Sequence, residues 1–175
     1  NTKYLPDATL SEQLFATDDM AVAVKDSDIV LCVVPTKAVR EVAKQLADTL
    51  AQLNHQVILA HATKGLEQGT YKRISEMLSE EIPETYRSAL VVVSGPSHAE
   101  DVIKHDLTAV SIGGSDENTT KLLQRVLSNK TFRAYTNHDL LGSELFAALK
   151  NIVAIGSGAL VGLGYGANAQ AALLT

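Results

Sequence analysis

The chain has 175 residues, 46% of them hydrophobic, and a formal net charge of −5. That length buries one sizeable core, or one core and the start of another. Mild acidity with no lysine or arginine run argues against a nucleic-acid partner and a polybasic membrane patch.

The chain opens Asn1-Thr2-Lys3-Tyr4 without an initiator methionine or a signal-peptide core, and it stops at Leu173-Leu174-Thr175 inside an apolar pattern. Both ends read as cut. The run Ile29 to Val34 reads as a strand buried on both faces and closed by Pro35, which has no N–H to give a sheet. It holds the one cysteine, Cys32, which reads as a small buried hydrophobe in a reducing, cytoplasmic setting. Thr36 is placed to cap a helix in which Val39, Val42, Leu46, Leu50 and Leu53 recur at spacings of three and four.

Val57 to Ala60 predicts a second strand, followed by the loop His61 to Gly65. A short helix is expected near Lys72 to Glu80, then a strand over Ala89 to Val93 that runs into Ser94-Gly95-Pro96-Ser97. A brief helix from Ser97, a strand over Thr108 to Ile112, a helix capped by Ser115 or Asp116, and a strand over Thr131 to Thr136 complete the alternation. Strands alternating with crossover helices predict an α/β fold, with a largely parallel sheet covered on both sides.

Beyond about Leu140 the pattern changes. Leu145 to Ile155 reads as a helix apolar almost all round, and no charge follows Lys150. A membrane span is the first alternative, but Lys150, Asn151 and the glycines at 156, 158, 162, 164 and 166 interrupt the apolar stretch. A fully buried helix opening an all-α domain is the expectation.

Three places carry chemistry. Lys150, on an apolar helix with Glu144 six positions away and no i,i+4 partner, reads as a desolvated base or as a snorkelling lysine. Lys64 follows a strand's carboxyl end, where open α/β sheets bind ligands, and reads as an anion contact or a solvated loop lysine. Gly95 to Glu100 leads from a strand into a helix, and reads as a cradle for substrate oxygens or as a tight turn. The histidines have no metal-site spacing, so no metal is expected.

The loop A-T-K-G-L (Ala62 to Leu66), the turn G-P-S-H-A-E (Gly95 to Glu100) and the helix L-K-N-I-V-A-I-G-S-G (Leu149 to Gly158) resemble those of NAD(P)-dependent sn-glycerol-3-phosphate dehydrogenases, in a bacterial form. So do the opening N-T-K-Y-L-P and the closing G-L-G-Y-G-A-N-A-Q-A-A-L. The resemblance implies a Rossmann-like sheet lacking its N-terminal part over residues 1–138, and the start of an α-helical substrate domain over 139–175. It implies a cytoplasmic oxidoreductase that interconverts dihydroxyacetone phosphate and sn-glycerol 3-phosphate with NAD or NADP, supplying phospholipid synthesis. Lys150 matches the proton acceptor. Lys64, Gly95, Ser97, Lys150 and Asn151 match substrate positions, and Lys64 and Ala99 match cofactor positions.

By the same resemblance, the glycine-rich pyrophosphate loop should lie before Asn1 and a phosphate clamp beyond Thr175; a homodimer is compatible with it. Where members carry an aromatic residue soon after V-V-P, this chain has Ala38 and Val39. The alternatives are a related β-hydroxyacid-type dehydrogenase and a catalytically silent nucleotide-binding homologue.

Overall fold

The computed structural model describes residues 3, 5 and 8–174, so Asn1, Thr2, Tyr4 and Pro6 of the N-T-K-Y-L-P stretch lie outside the described residues, as does Thr175. The elements run α1 (Met20–Val24), β1 (Ile29–Cys32), a 3-10 turn (Thr36–Ala38), α2 (Val39–Leu53), β2 (Val57–His61), α3 (Ile74–Glu81) and β3 (Arg87–Ser94). There follow α4 (Ala99–Val102), β4 (Thr108–Gly113), α5 (Glu117–Leu127), β5 (Phe132–Asn137), α6 (Leu140–Gly162) and α7 (Ala167–Leu174).

The five strands form one sheet in the order β1-β2-β3-β4-β5. All neighbours are parallel except β3 and β4, where Val92 pairs with Gly113 and Ser94 with Ser111. The link between those two strands carries only the four-residue α4, so β4 returns beside β3 instead of crossing over. The sheet is thus α/β, Rossmann-like and mostly parallel, and a helical segment follows it.

Alternate residues of each strand face opposite sides. Val57 and Leu59 of β2 join Cys32, Leu46, Leu50, Ile74 and Leu78 in a core under α2 and α3. Ile58 and Ala60 turn the other way, to Val91, Val110, Ile112 and Leu123 under α5. Each such side chain, once buried, contributes ~1.5–3 kcal/mol. Cover on both faces does not extend to β1 and the residue that follows it, where Leu31 is 44% and Val33 62% exposed.

One local expectation changes and another is narrowed. Thr36 does not cap α2; it sits in the 3-10 turn, and its hydroxyl donates to the Lys64 carbonyl at 2.9 Å. Of the two candidate caps for α5, Asp116 takes the role, accepting from Thr119 N–H at 2.8 Å. The short α1, capped by Asp19 through Ala21 and Val22, carries too few residues for a periodicity to announce it.

The largest correction concerns α6. It is 23 residues long, takes glycines 156, 158 and 162 into its body, and is long and apolar enough to cross a membrane by length and composition alone. The sequence argument that these glycines interrupt the apolar stretch fails for positions 156, 158 and 162, because glycine weakens a helix by ~1 kcal/mol without ending it. The expectation of burial fails too: among the residues of α6 only Glu144 is buried, and Phe146, Ile152 and Ile155 are 80%, 66% and 73% exposed. α7 covers a small part of it, bringing Leu173 against Gly156.

Candidate active site at the carboxyl ends of the central strands

β2 and β3 are parallel, so the loops that follow them emerge at the same end of the sheet. The loop after β2 is held from below: Thr63 Oγ1 donates to the Val34 carbonyl at 2.8 Å and accepts from Val34 N–H at 3.2 Å. Gly65 then turns the chain with φ +113°, a region that L side chains avoid, and a Cβ there would stand 3.3 Å from Thr36 Oγ1. This turn leaves Lys64 exposed, with Nζ donating to the Gly95 carbonyl at 3.0 Å. Two of the predicted site residues are thereby in direct contact.

The turn after β3 is tight. A Cβ on Gly95 would meet the Ala109 carbonyl at 2.8 Å and Val110 Cα at 2.9 Å, both backbone of β4, so the position needs glycine for strand packing. Ser97 and Ala99 are exposed beside it, and Ser97 Oγ lies 3.5 Å from the Gly95 carbonyl. The tight turn expected from sequence is present: packing fixes Gly95 while the following residues face solvent.

α6 crosses the sheet near this end. Asp139 caps it by accepting from Gly142 N–H at 2.7 Å, and Asn137 at the end of β5 donates to Ser143 Oγ at 3.1 Å. Between β3, β4 and the first turns of α6 lies an open depression of about 350 Å³ lined by Ser94, Ser111, Asp139, Gly142, Ser143 and Phe146. Lys150 and Asn151 follow farther along α6, and both are exposed. The desolvated setting expected for the Lys150 ammonium is therefore not present around this chain.

Sequence reasoning missed a buried polar cluster. Glu144, 5% exposed, accepts from Ser75 N–H at 2.7 Å, from the Ser75 hydroxyl and from Arg73 Nη1 at 2.8 Å. His61, fully buried at the end of β2, places Nε2 3.2 Å from Glu144 Oε1, at ion-pair distance but off a hydrogen-bond axis, and Nδ1 3.3 Å from the Thr63 carbonyl. Burial alone pushes the Glu144 carboxyl up; the His61 ring and the Ser75 hydroxyl and N–H outweigh it and hold it below its ordinary value. The available signal was that Glu144 and Lys150 are the two charges of a helix otherwise uncharged from 140 to 162.

A second charged cluster braces the loop from outside. Arg40 on α2 binds Glu67, Glu80 and Glu81, and Lys72 binds Glu80. The Arg40 guanidinium and the Thr70 hydroxyl hold the Glu67 carboxyl at about 2. Cys32, buried as expected, has its thiol pushed up by burial, with a smaller opposing effect from the Val34 backbone.

The model of the N-terminal part of NAD-dependent glycerol-3-phosphate dehydrogenase matches residues 1–120, and that of its C-terminal part matches residues 139–175. An NAD(P)+ glycerol-3-phosphate dehydrogenase of Leuconostoc citreum is 99% identical over all 175 residues, and one of Leuconostoc mesenteroides is 74% identical; the chain covers 52% of each. A crystal structure of glycerol-3-phosphate dehydrogenase from Coxiella burnetii superposes on 99% of this chain and 51% of its own, with 34% identity and a TM-score of 0.82. The chain spans about half the length of the relatives it matches. With both family models matching in order around the loops described above, the chain belongs to the NAD-dependent glycerol-3-phosphate dehydrogenase family.

Proposed function

We propose that the enzyme carrying this chain interconverts dihydroxyacetone phosphate and sn-glycerol 3-phosphate with NAD(P)H, in the cytoplasm, and so supplies glycerophospholipid synthesis. In this reading residues 1–138 are part of the dinucleotide-binding domain and 139–175 open the helical substrate domain. The observation that carries it is the contact between Lys64 Nζ and Gly95 O at the carboxyl ends of two parallel strands, the place where α/β sheets take ligands.

The residues present suit a nicotinamide dinucleotide. Gly65 keeps the loop free of a Cβ that would crowd Thr36, the Lys64 ammonium is exposed, and Ala99 presents a small exposed side chain at the start of α4. In this reading Lys64 and Ala99 hold the cofactor, and Lys64, Gly95, Ser97, Lys150 and Asn151 bind the substrate. A nicotinamide, when bound, supplies the hydride for reduction of the C2 carbonyl. Lys150 polarises that carbonyl and gives its proton to the C2 oxygen; in the reverse direction the amine takes the hydroxyl proton. Lys64, as a cation near the same centre, offsets the negative charge of the phosphate ester.

Lys150 is exposed in this chain, and the reading requires it to be desolvated in the longer enzyme. Support comes from its neighbours Phe146, Leu149, Ile152 and Val153, whose exposed apolar faces would exclude water from the amine once covered. A homodimer, and the lack of nucleic-acid or membrane partners, belong to the same proposal. Assay of the full-length enzyme with NADH and NADPH against phosphorylated ketones and β-hydroxyacids tests it. The expected result is turnover of dihydroxyacetone phosphate; turnover of β-hydroxyacids alone, or cofactor binding without turnover, overturns it.

A further inference from the structure

The carboxylate of Glu144 engages groups from two other elements. One oxygen accepts from Ser75 N–H and faces His61 Nε2, while the other accepts from Arg73 Nη1 and the Ser75 hydroxyl. Arg73 is the N-cap of α3 and Ser75 lies in its first turn, so the carboxylate also meets the positive end of that helix. His61 ends β2, three residues before Lys64. Lys150 stands six residues beyond Glu144 on α6, about 9 Å of helix rise.

The cluster therefore connects the strand that delivers Lys64 to the helix that delivers Lys150. Apolar contacts would allow α6 to slide or rotate over the sheet at little cost, since such contacts have no direction. Hydrogen bonds to both oxygens of one carboxylate are directional, and they leave the side chain a single placement. Sliding α6 by one residue would move Lys150 about 1.5 Å along the axis and turn it by about 100°.

We propose that Glu144 is a positioning residue for the reaction: anchored by Arg73, Ser75 and His61, it sets where Lys150 stands relative to Lys64. This rests on the reading given under Proposed function. An error of about 1 Å in placing a catalytic group costs on the order of 10²-fold in rate. Glu144 engages Arg73, Ser75 and His61 and neither Lys64 nor Ala99, the cofactor residues of that reading, so NADH affinity is expected to change little when the anchor is removed.

Glu144→Gln and Ser75→Ala in the full-length enzyme test this. Turnover per folded molecule is measured well below each variant's melting temperature, beside the Kd for NADH. Expected are a fall in kcat of about 10- to 100-fold for Glu144→Gln and a smaller fall for Ser75→Ala, with Kd for NADH within about two-fold of the parent in both. A role confined to stability lowers the melting temperature and leaves kcat per folded molecule at the parent value; that result overturns the proposal, as does a parallel loss of NADH affinity. If Glu144→Gln does not fold, Ser75→Ala alone decides between the same outcomes. An inactive parent enzyme would instead contradict the functional reading itself.

Discussion

Lys64 Nζ lies 3.0 Å from the carbonyl oxygen of Gly95, joining the loop after β2 to the turn after β3. The ammonium keeps further donors for a ligand, because a lysine offers three N–H groups and this contact uses one. Replacing Lys64 by Met keeps the stem and removes the charge. The expected outcome in the full-length enzyme is a rise in KM for dihydroxyacetone phosphate of at least about ten-fold, on the scale of one lost charge-assisted hydrogen bond. Steady-state kinetics check it; an unchanged KM would show a solvated loop lysine.

Gly65 makes the same loop possible. Its φ of +113° and the 3.3 Å approach to Thr36 Oγ1 leave no comfortable place for a methyl group. Gly65→Ala should destabilise the fold by more than about 1 kcal/mol, because strain in the folded state outweighs any gain from a stiffer unfolded chain. Denaturant titration of parent and variant measures the difference.

Much of this geometry was legible in the residues. The five strands all overlap the segments expected from sequence, and Asp116 was one of two caps named for α5. Glu144 was not legible as a buried anchor, because Arg73, Ser75 and His61 are 69 to 83 residues away and periodicity reports only neighbours on one element. The setting of Lys150 was legible only in part for a related reason: an apolar helix surface announces that something covers it, yet α6 lies largely open in this chain and Lys150 is exposed. The brief helix between β3 and β4 was expected, but the alternation of strands and helices gave no sign that β4 returns antiparallel beside β3 instead of crossing over.

The Arg40 cluster gives a pH dependence with a definite sign. Glu67 falls from its ordinary 4.5 to about 2 in the folded chain, so its contribution is present above pH 4.5 and is lost as pH falls toward 2. Arg40→Ala, by removing the main cause of that shift, should flatten the acid limb of the stability profile. Chemical denaturation at pH 7 and pH 3 tests this: the gap in stability between parent and variant should shrink at the lower pH. A constant gap would mean that packing, not charge, accounts for the effect of Arg40.

Cys32 should resist thiol reagents. It is 7% exposed and burial disfavours its thiolate, the reactive form. Iodoacetamide at neutral pH is expected to label this chain slowly when folded and rapidly in denaturant. Rapid labelling of the folded chain would mean that the β1 side of the core opens readily.

The most direct test of the central assignment is the kinetics of Lys150→Ala in the full-length enzyme, with NADH affinity measured beside turnover. Loss of a proton-transfer group predicts a fall in kcat of about 10²- to 10⁴-fold with the Kd for NADH nearly unchanged. Turnover that survives at the parent level, or an equal loss of turnover and cofactor affinity, would contradict the role given to Lys150.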